Sequence, residues 1–266
     1  ALDEATVAEP AKEQTIAQTM YMGVDGTGVP MRKQELEGRK GKQADGTAKT
    51  REVKLCTIWS AEGRDAENRP VRDKGSVSYS AAIESAAMLD TDKTPSVFAG
   101  RVNREAVRRG FDRTDRQAIL GDGALWIWNL ADELFPNAVQ IVDRFHAKEN
   151  LSRVANAIYG AGSERSRTWA LERFDELDAG RIDDILKALS VHSTKNDEVR
   201  KCCGYISRNR KRMAYAEFER RGLCTSSGVV EAGCKVVVGA RLKRSGMHWT
   251  LSGANAIIAL RACILS

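Results

Sequence analysis

The stretch Gln117-Ala-Ile-Leu-Gly-Asp-Gly-Ala-Leu-Trp-Ile-Trp-Asn-Leu-Ala-Asp-Glu-Leu134, followed closely by Ala138-Val-Gln-Ile-Val-Asp143, decides the fold. An apolar run over 117–120 stops at Gly121-Asp122-Gly123, an amphipathic helix is expected over 124–134, and 138–142 reads as a second buried strand. Strand, helix, strand with short links argues for parallel pairing. In such units functional side chains collect at the C-terminal ends of the strands, and Asp122, Asp143 and His146 stand there.

Working outward, 19–29 reads as a strand with a tight Asp25-Gly26-Thr27-Gly28 exit, and 52–59 as a second strand of alternating apolar positions. The Gly/Lys-rich segment 39–49 between them looks like a hairpin loop, which makes the two strands antiparallel. Residues 62–77 are charged and carry Pro70 and Gly75, so a loop is expected, with helices over 81–89 and 98–110. From 149 to 223 the pattern is helical only, over 151–159, 165–177, 181–189, 197–209 and 212–221. A further helix over 229–242 places Val230, Cys234, Val237, Val238 and Leu242 on one apolar side, and 250–265 closes the chain as an apolar helix. The organisation expected is therefore a linker or remnant of a missing N-terminal region (1–17), the first part of an α/β core (18–148), an all-helical insertion (149–223) and the last helices of the core (224–266).

The 266 residues suffice for one large or two small domains with a sizeable core. The longest apolar stretches are too short and interrupted to span a bilayer, and no secretory signal pattern opens the chain, so neither a membrane nor secretion is expected. The chain does not start with Met, which suggests a fragment. Its six cysteines form no CxxC pair and read as reduced thiols of a cytoplasmic protein. With three histidines, any metal site must be built mainly from oxygen ligands, which suits magnesium or manganese. Of 42 Lys+Arg, 12 fall from Lys201 onward against 3 of the 36 Asp+Glu, so the basic excess lies wholly in the last quarter. Such clustering is the electrostatic footprint of phosphate-backbone binding, although solvated helix faces carry similar runs.

Asp25, Asp122 and Glu231, each beside an apolar run, are the candidate ligands. Every one of them also has a local explanation. Asp25-Gly26 is a strong turn former, Asp122 would cap the following helix, and Glu231 in a first helical turn offsets the helix dipole and can pair with Lys235. Asp143 and His146 are an orienting pair or a further ligand, or else a strand-end Asp and a packed His. Three carboxylates suit phosphoryl transfer, where two metal ions about 3.5–4 Å apart activate the nucleophile and stabilise the leaving oxygen.

The phrases Val24-Asp-Gly-Thr-Gly-Val-Pro30, Gly121-Asp-Gly-Ala-Leu-Trp-Ile-Trp-Asn129, Val142-Asp-Arg-Phe-His146, Ser227-Gly-Val-Val-Glu231 and Arg241-Leu-Lys-Arg-Ser-Gly-Met-His-Trp249, in this order, resemble bacterial insertion-sequence transposases of the ISKra type, relatives of Mutator-like transposases. The resemblance covers the chain from about residue 19 and implies a ribonuclease-H-like mixed sheet flanked by helices, with an all-helical insertion before the last catalytic helix. It further implies that Asp25, Asp122 and Glu231 bind two Mg²⁺ (or Mn²⁺) ions as a DDE triad, with Asp143 and His146 accessory and Asp143 a rival to Asp122. The implied activity is metal-dependent cleavage and strand transfer at transposon ends, by a bacterial, cytoplasmic, DNA-associated protein that works as a homodimer or higher assembly on DNA. Arg241, Lys243, Arg244 and Trp249 would grip phosphates or stack on a base of the transposon end or target. The alternatives are a stand-alone metal-dependent nuclease and an inactive DNA-binding fragment.

Overall fold

A computed structural model of the protein describes residues 16–41, 43–84, 96–194, 196–226 and 228–266. Five strands form the main sheet: β1 (Thr19–Pro30), β2 (Thr50–Ser60), β5 (Ser78–Ala82), β6 (Arg116–Gly121) and β7 (Val139–Val142), in the spatial order β5-β2-β1-β6-β7. β2 runs antiparallel to both of its neighbours, and β1, β6 and β7 are mutually parallel. Three antiparallel strands continued by two parallel ones, with helices on both faces, make a mixed sheet of the ribonuclease-H-like kind. Two short strands, β3 (Gly63–Arg64) and β4 (Pro70–Val71), pair inside the segment expected to be a loop.

The strand, helix, strand reading holds: α2 (Leu125–Leu134) joins β6 to β7, which pair in parallel from Ala118↔Val139 to Gly121↔Val142. β1 differs from expectation. It does not exit at Asp25 but runs straight on to Pro30, with Asp25 opposite Leu55 of β2. Its glycines serve close packing instead of a turn. A Cβ at Gly23 would lie 2.8 Å from Val230 Cβ, and one at Gly26 would lie 2.5 Å from Glu52 Oε1. The helix expected over 81–89 is also corrected, because Ser78–Ala82 is the edge strand β5 and pairs with Lys54–Ile58 of β2. Residues 85–95, like 1–15 of the expected linker and Ser227, lie outside the described residues.

α1 (Val97–Arg109) is capped by Ser96, whose side chain accepts from Ala99 N–H, and ends at Gly110 in the left-handed region, φ 74°. After β7 the chain is helical: α3 (Arg144–Tyr159), α4 (Glu164–Asp178), α5 (Ile182–Ser193), α6 (Asp197–Asn209) and α7 (Tyr215–Arg220). α3 starts directly at the end of β7 and runs on without a break past residue 149. The last elements are α8 (Gly228–Gly233), a π-helical stretch Cys234–Gly239, α9 (Ala240–Leu242) and α10 (Leu251–Leu265). Thus the helix read over 229–242 exists, but its middle is wound more loosely.

Two apolar clusters flank the sheet. The larger joins Met22, Val24, Ile58 and Leu120 to α1, α2 and the helices of 144–220. The smaller joins Val53 and Leu55 to Val230, Val237, Val238 and Leu242, with Ala254 and Ile258 of α10. Along β2 the alternation Val53/Leu55 against Cys56/Ile58 sends one set to each cluster, as a strand buried on both faces requires.

Candidate functional site

The side-chain alternation of the parallel strands sets the site. A Cβ on Gly121 would point at Ile127 of α2, 2.9 Å away, so the next residue, Asp122, projects to the other side of the sheet. Asp25, opposite Leu55, shares the side that carries α8, since Leu55 packs in the cluster with Val230. Asp25 and Asp122 therefore come from neighbouring strands onto one face. The proximity is felt electrostatically: the Asp25 carboxyl is held above its ordinary value chiefly by burial, with the Asp122 charge adding to the rise. Gly26 N–H (2.7 Å) donates to Asp25 Oδ1, and the Cys234 thiol (3.3 Å to Oδ2) donates from the π-helical stretch; both oppose that rise.

Asp122 does not cap α2 in the expected way. Its Oδ1 accepts from Ala124 N–H at 2.8 Å, but the N-cap residue is Ala124, so Asp122 closes a tight turn ahead of the helix. Its own carbonyl accepts from Tyr205 Oη at 2.8 Å, which ties α6 to the end of β6. Asp143 is the residue that caps a helix: it is fully buried, and its Oδ1 accepts from His146 N–H at 2.9 Å at the start of α3.

His146 and Glu231 complete the arrangement. His146 Nε2 lies 3.7 Å from Glu231 Oε1, and His146 Nδ1 lies 3.5 Å from Glu149 Oε2. One ligand atom from each of Asp143, His146 and Glu231 falls within 4.8 Å of the other two. No other trio of acidic, His or Cys side chains packs so closely among the described residues. The structure therefore brings Glu231 tightly against Asp143 and His146, the pair read as accessory, while Asp25 and Asp122 form the adjoining half of the site. Among the described residues Lys235 does not pair with Glu231, whose Oε1 faces His146 Nε2 instead. Asp25, Asp122 and Glu231 have no Lys or Arg ion pair among the described residues, although ion pairs are abundant elsewhere in the chain.

The four residues expected to touch DNA are treated differently by the fold. Trp249 is pinned inward: its indole N–H donates to Leu242 O at 3.1 Å, and its backbone bonds Pro30 and Arg32 beside β1. Arg241 lies over the Trp249 ring, 5.9 Å from its centroid, and is itself exposed. Lys243 donates to Thr27 Oγ1, two residues beyond Asp25 on β1, and the Arg244 guanidinium donates to Ala240 O at 2.8 Å. Arg241, Lys243 and Arg244 thus form a basic, solvent-facing group along the β1 side of the site.

A cleft of about 690 Å³ opens beside Asp122 and His146, walled by the start of α2, by α3 and by α6. Its lining includes Arg153, Arg208 and Arg212, which the sequence reading did not single out. Their separation in sequence hides them, because only the packing of α3 against α6 brings Arg153 and Arg208 to one wall.

A family profile described as an uncharacterised protein family, UPF0236, matches residues 43–266, a span that contains Asp122, Asp143, His146 and Glu231 and begins after Asp25. No curated protein matches the chain. No described helix is long and apolar enough to cross a membrane. The chain belongs to the UPF0236 family.

Proposed function

From this membership and from a ribonuclease-H-like sheet with five ionisable side chains gathered at its parallel edge, we propose that the protein is a DDE transposase catalytic core of the ISKra kind, cleaving and joining DNA strands at transposon ends. The observation that carries the reading is the set of carboxylates that pair with no Lys or Arg among the described residues: Asp25, Asp122 and Glu231 face one region, and burial and the Asp122 charge together hold the Asp25 carboxyl high. Like charges kept close without a Lys or Arg are what a divalent cation would relieve. Oxygen donors predominate, so the residues fit magnesium or manganese: Asp25 and Asp122 would hold one ion, and Glu231 with Asp143 and His146 the other. When bound, such ions lower the pKa of a water and stabilise the leaving oxygen of an in-line displacement.

The chain's own residues position the reaction. Gly26 N–H and the Cys234 thiol fix the Asp25 carboxylate, Ala124 N–H fixes Asp122, and Asp143 sets the start of α3 so that His146 faces Glu231. Water attacks the scissile phosphorus and the bond to the 3′ oxygen breaks, which leaves a 5′-phosphate and a free 3′-hydroxyl; that hydroxyl then attacks a second phosphodiester, whose own bond to its 3′ oxygen breaks, that oxygen leaving as a hydroxyl. Arg241, Lys243 and Arg244 would hold the backbone of the transposon end or target, and a homodimer would synapse two ends. The DNA-associated, cytoplasmic setting belongs to the same proposal.

The test is nicking of supercoiled plasmid and joining of a pre-cut 3′-hydroxyl end, with magnesium or manganese present. The wild type is expected to do both, and Asp25→Asn, Asp122→Asn and Glu231→Gln to do neither while melting cooperatively. Nicking without joined product would replace the transposase by a simple nuclease, and undiminished cleavage by all three variants would remove the triad.

A further inference from the structure

We infer that the cleft between α2, α3 and α6 is a receptor for one unpaired nucleotide of the strand being cleaved, so that the protein binds single-stranded or opened DNA in preference to a closed duplex. The inference deepens the proposed DNA-cleaving role of the adjoining carboxylates and rests on it.

Three features of the cleft point to this ligand. The first is charge: Arg153, Arg208 and Arg212 line the cleft, and among the described residues none of them forms an ion pair with a carboxylate. Arg153 and Arg208 are exposed, while Arg212 lies over the Trp128 ring, 4.7 Å from its centroid. Arg153 donates to Asn150 Oδ1 and Arg212 Nε to Gln140 Oε1 at 2.6 Å, but neutral partners leave the guanidinium charge uncompensated, and charge of this kind in a concavity favours phosphate.

The second is a pair of buried polar atoms without partners. Trp128 is 2 % and Asn209 1 % exposed, and both line the cleft. The Trp128 indole N–H makes no hydrogen bond, and neither does Asn209 Oδ1. The orientation of the amide is settled by its surroundings, because Asn209 Nδ2 faces two carbonyls, Tyr205 O at 3.1 Å and Gly123 O at 3.4 Å. One orphan is thus a donor and the other an acceptor. A buried unsatisfied group is costly, and a ligand that reached these two atoms would relieve that cost. A nucleobase edge carries donors and acceptors side by side, which a bare phosphate or a carboxylate does not.

The third is access. Leu125, 67 % exposed, stands at the cleft and offers an apolar surface to a base. A base within a duplex is stacked and paired, and its edge cannot enter a cleft beside the strand unless it is unpaired first. The cleft joins the site at Asp122, so a nucleotide held there lies next to the phosphodiester presented to the carboxylates.

The experiment is equilibrium binding, read by fluorescence anisotropy in EDTA, of a fluorescein-labelled DNA oligonucleotide of mixed sequence, either single-stranded or annealed to its complement. The wild type is expected to bind the single strand about tenfold or more tightly than the duplex, a single charge-assisted contact being sufficient for such a factor. Trp128→Phe and Asn209→Ala should bring the two affinities together, and Arg153→Gln and Arg208→Gln should weaken single-strand binding several-fold. Thermal melting checks each variant. Should the two buried substitutions not fold, the exposed Arg153 and Arg208 variants decide. Equal affinity of the wild type for both DNA forms, or single-strand binding untouched by the arginine variants, would overturn the inference. The plasmid assay is independent of this readout: single-strand preference without cleavage sinks the catalytic reading alone, and cleavage without preference sinks this one alone.

Discussion

At the residue scale the site distinguishes two aspartates that look alike in the sequence, each following an apolar strand. Asp143 is fully buried and caps α3, whereas Asp122 is only partly buried and serves as the acceptor for Ala124 N–H. Asp122→Asn keeps that acceptor, so its stability in urea should stay within about 0.5 kcal/mol of wild type, while Asp143→Ala loses the cap and should cost about 1–2 kcal/mol. Equal losses would mean that Asp122 also supports the fold. Asp25 offers a pH signature. Its carboxyl is held above the ordinary aspartate value of 3.8, so the folded state binds the proton more tightly than the unfolded one. Below 3.8 the group is neutral in both states and contributes nothing; as pH rises through the raised value, ionisation costs stability in the metal-free protein. Asp25→Asn should therefore be more stable than wild type at neutral pH in EDTA, and the advantage should vanish in acid. Urea melts across pH test it, and an Asn variant that is less stable at neutral pH would contradict it.

At the scale of elements, close approach of α8 to β1 decides where Glu231 stands. Gly23→Ala would push a Cβ to 2.8 Å from Val230 Cβ and 3.0 Å from the Trp59 ring. Overpacking of this kind costs about 1–3 kcal/mol, and Val230→Ala in the same chain should recover part of it, which chemical denaturation of the single and double variants would reveal. Much of this level was legible in the sequence. The period of β6, α2 and β7 was strong, and 197–209 coincides with α6 because Asn196 offers a cap and the apolar residues recur at helical spacing. β5 is hidden because Ala81-Ala82-Ile83 is apolar without a period, and its pairing with β2 depends on partners twenty or more residues away. β1 was read as turning at Asp25 since Asp-Gly signals a turn locally, whereas here the glycines admit Val230 and Glu52. The candidate carboxylates were all visible, but their grouping was not: His146 meets Glu231 only through the packing of α8 over β1 and β2.

At the scale of the whole molecule, one sheet separates two apolar clusters, and the site lies where elements from both meet. The helices of 144–220 are fastened to the sheet at the site itself, by Tyr205 Oη on Asp122 O and Tyr215 Oη on Val142 O. Tyr205→Phe removes one such bond and should cost about 1 kcal/mol, with faster hydrogen exchange at the end of β6 as the local readout. Charge gives a global prediction. With three arginines on single-strand phosphates, the logarithm of the binding constant should fall with the logarithm of salt concentration at a slope near −2, and Arg208→Gln should reduce that slope by about 0.7. A salt-independent affinity would exclude backbone contacts. The π-helical stretch Cys234–Gly239 has a longer reach. A π turn accommodates one residue more than an α turn, so the helix changes phase between its two ends. Glu231 ahead of the stretch answers to His146, while Leu242 beyond it answers to the smaller cluster and Lys243 to Thr27. The stretch thus works as a phase adjuster: both ends of this helix are already committed, and a one-residue insertion or deletion within 234–239 would rotate one commitment away from the other without changing a single ligand.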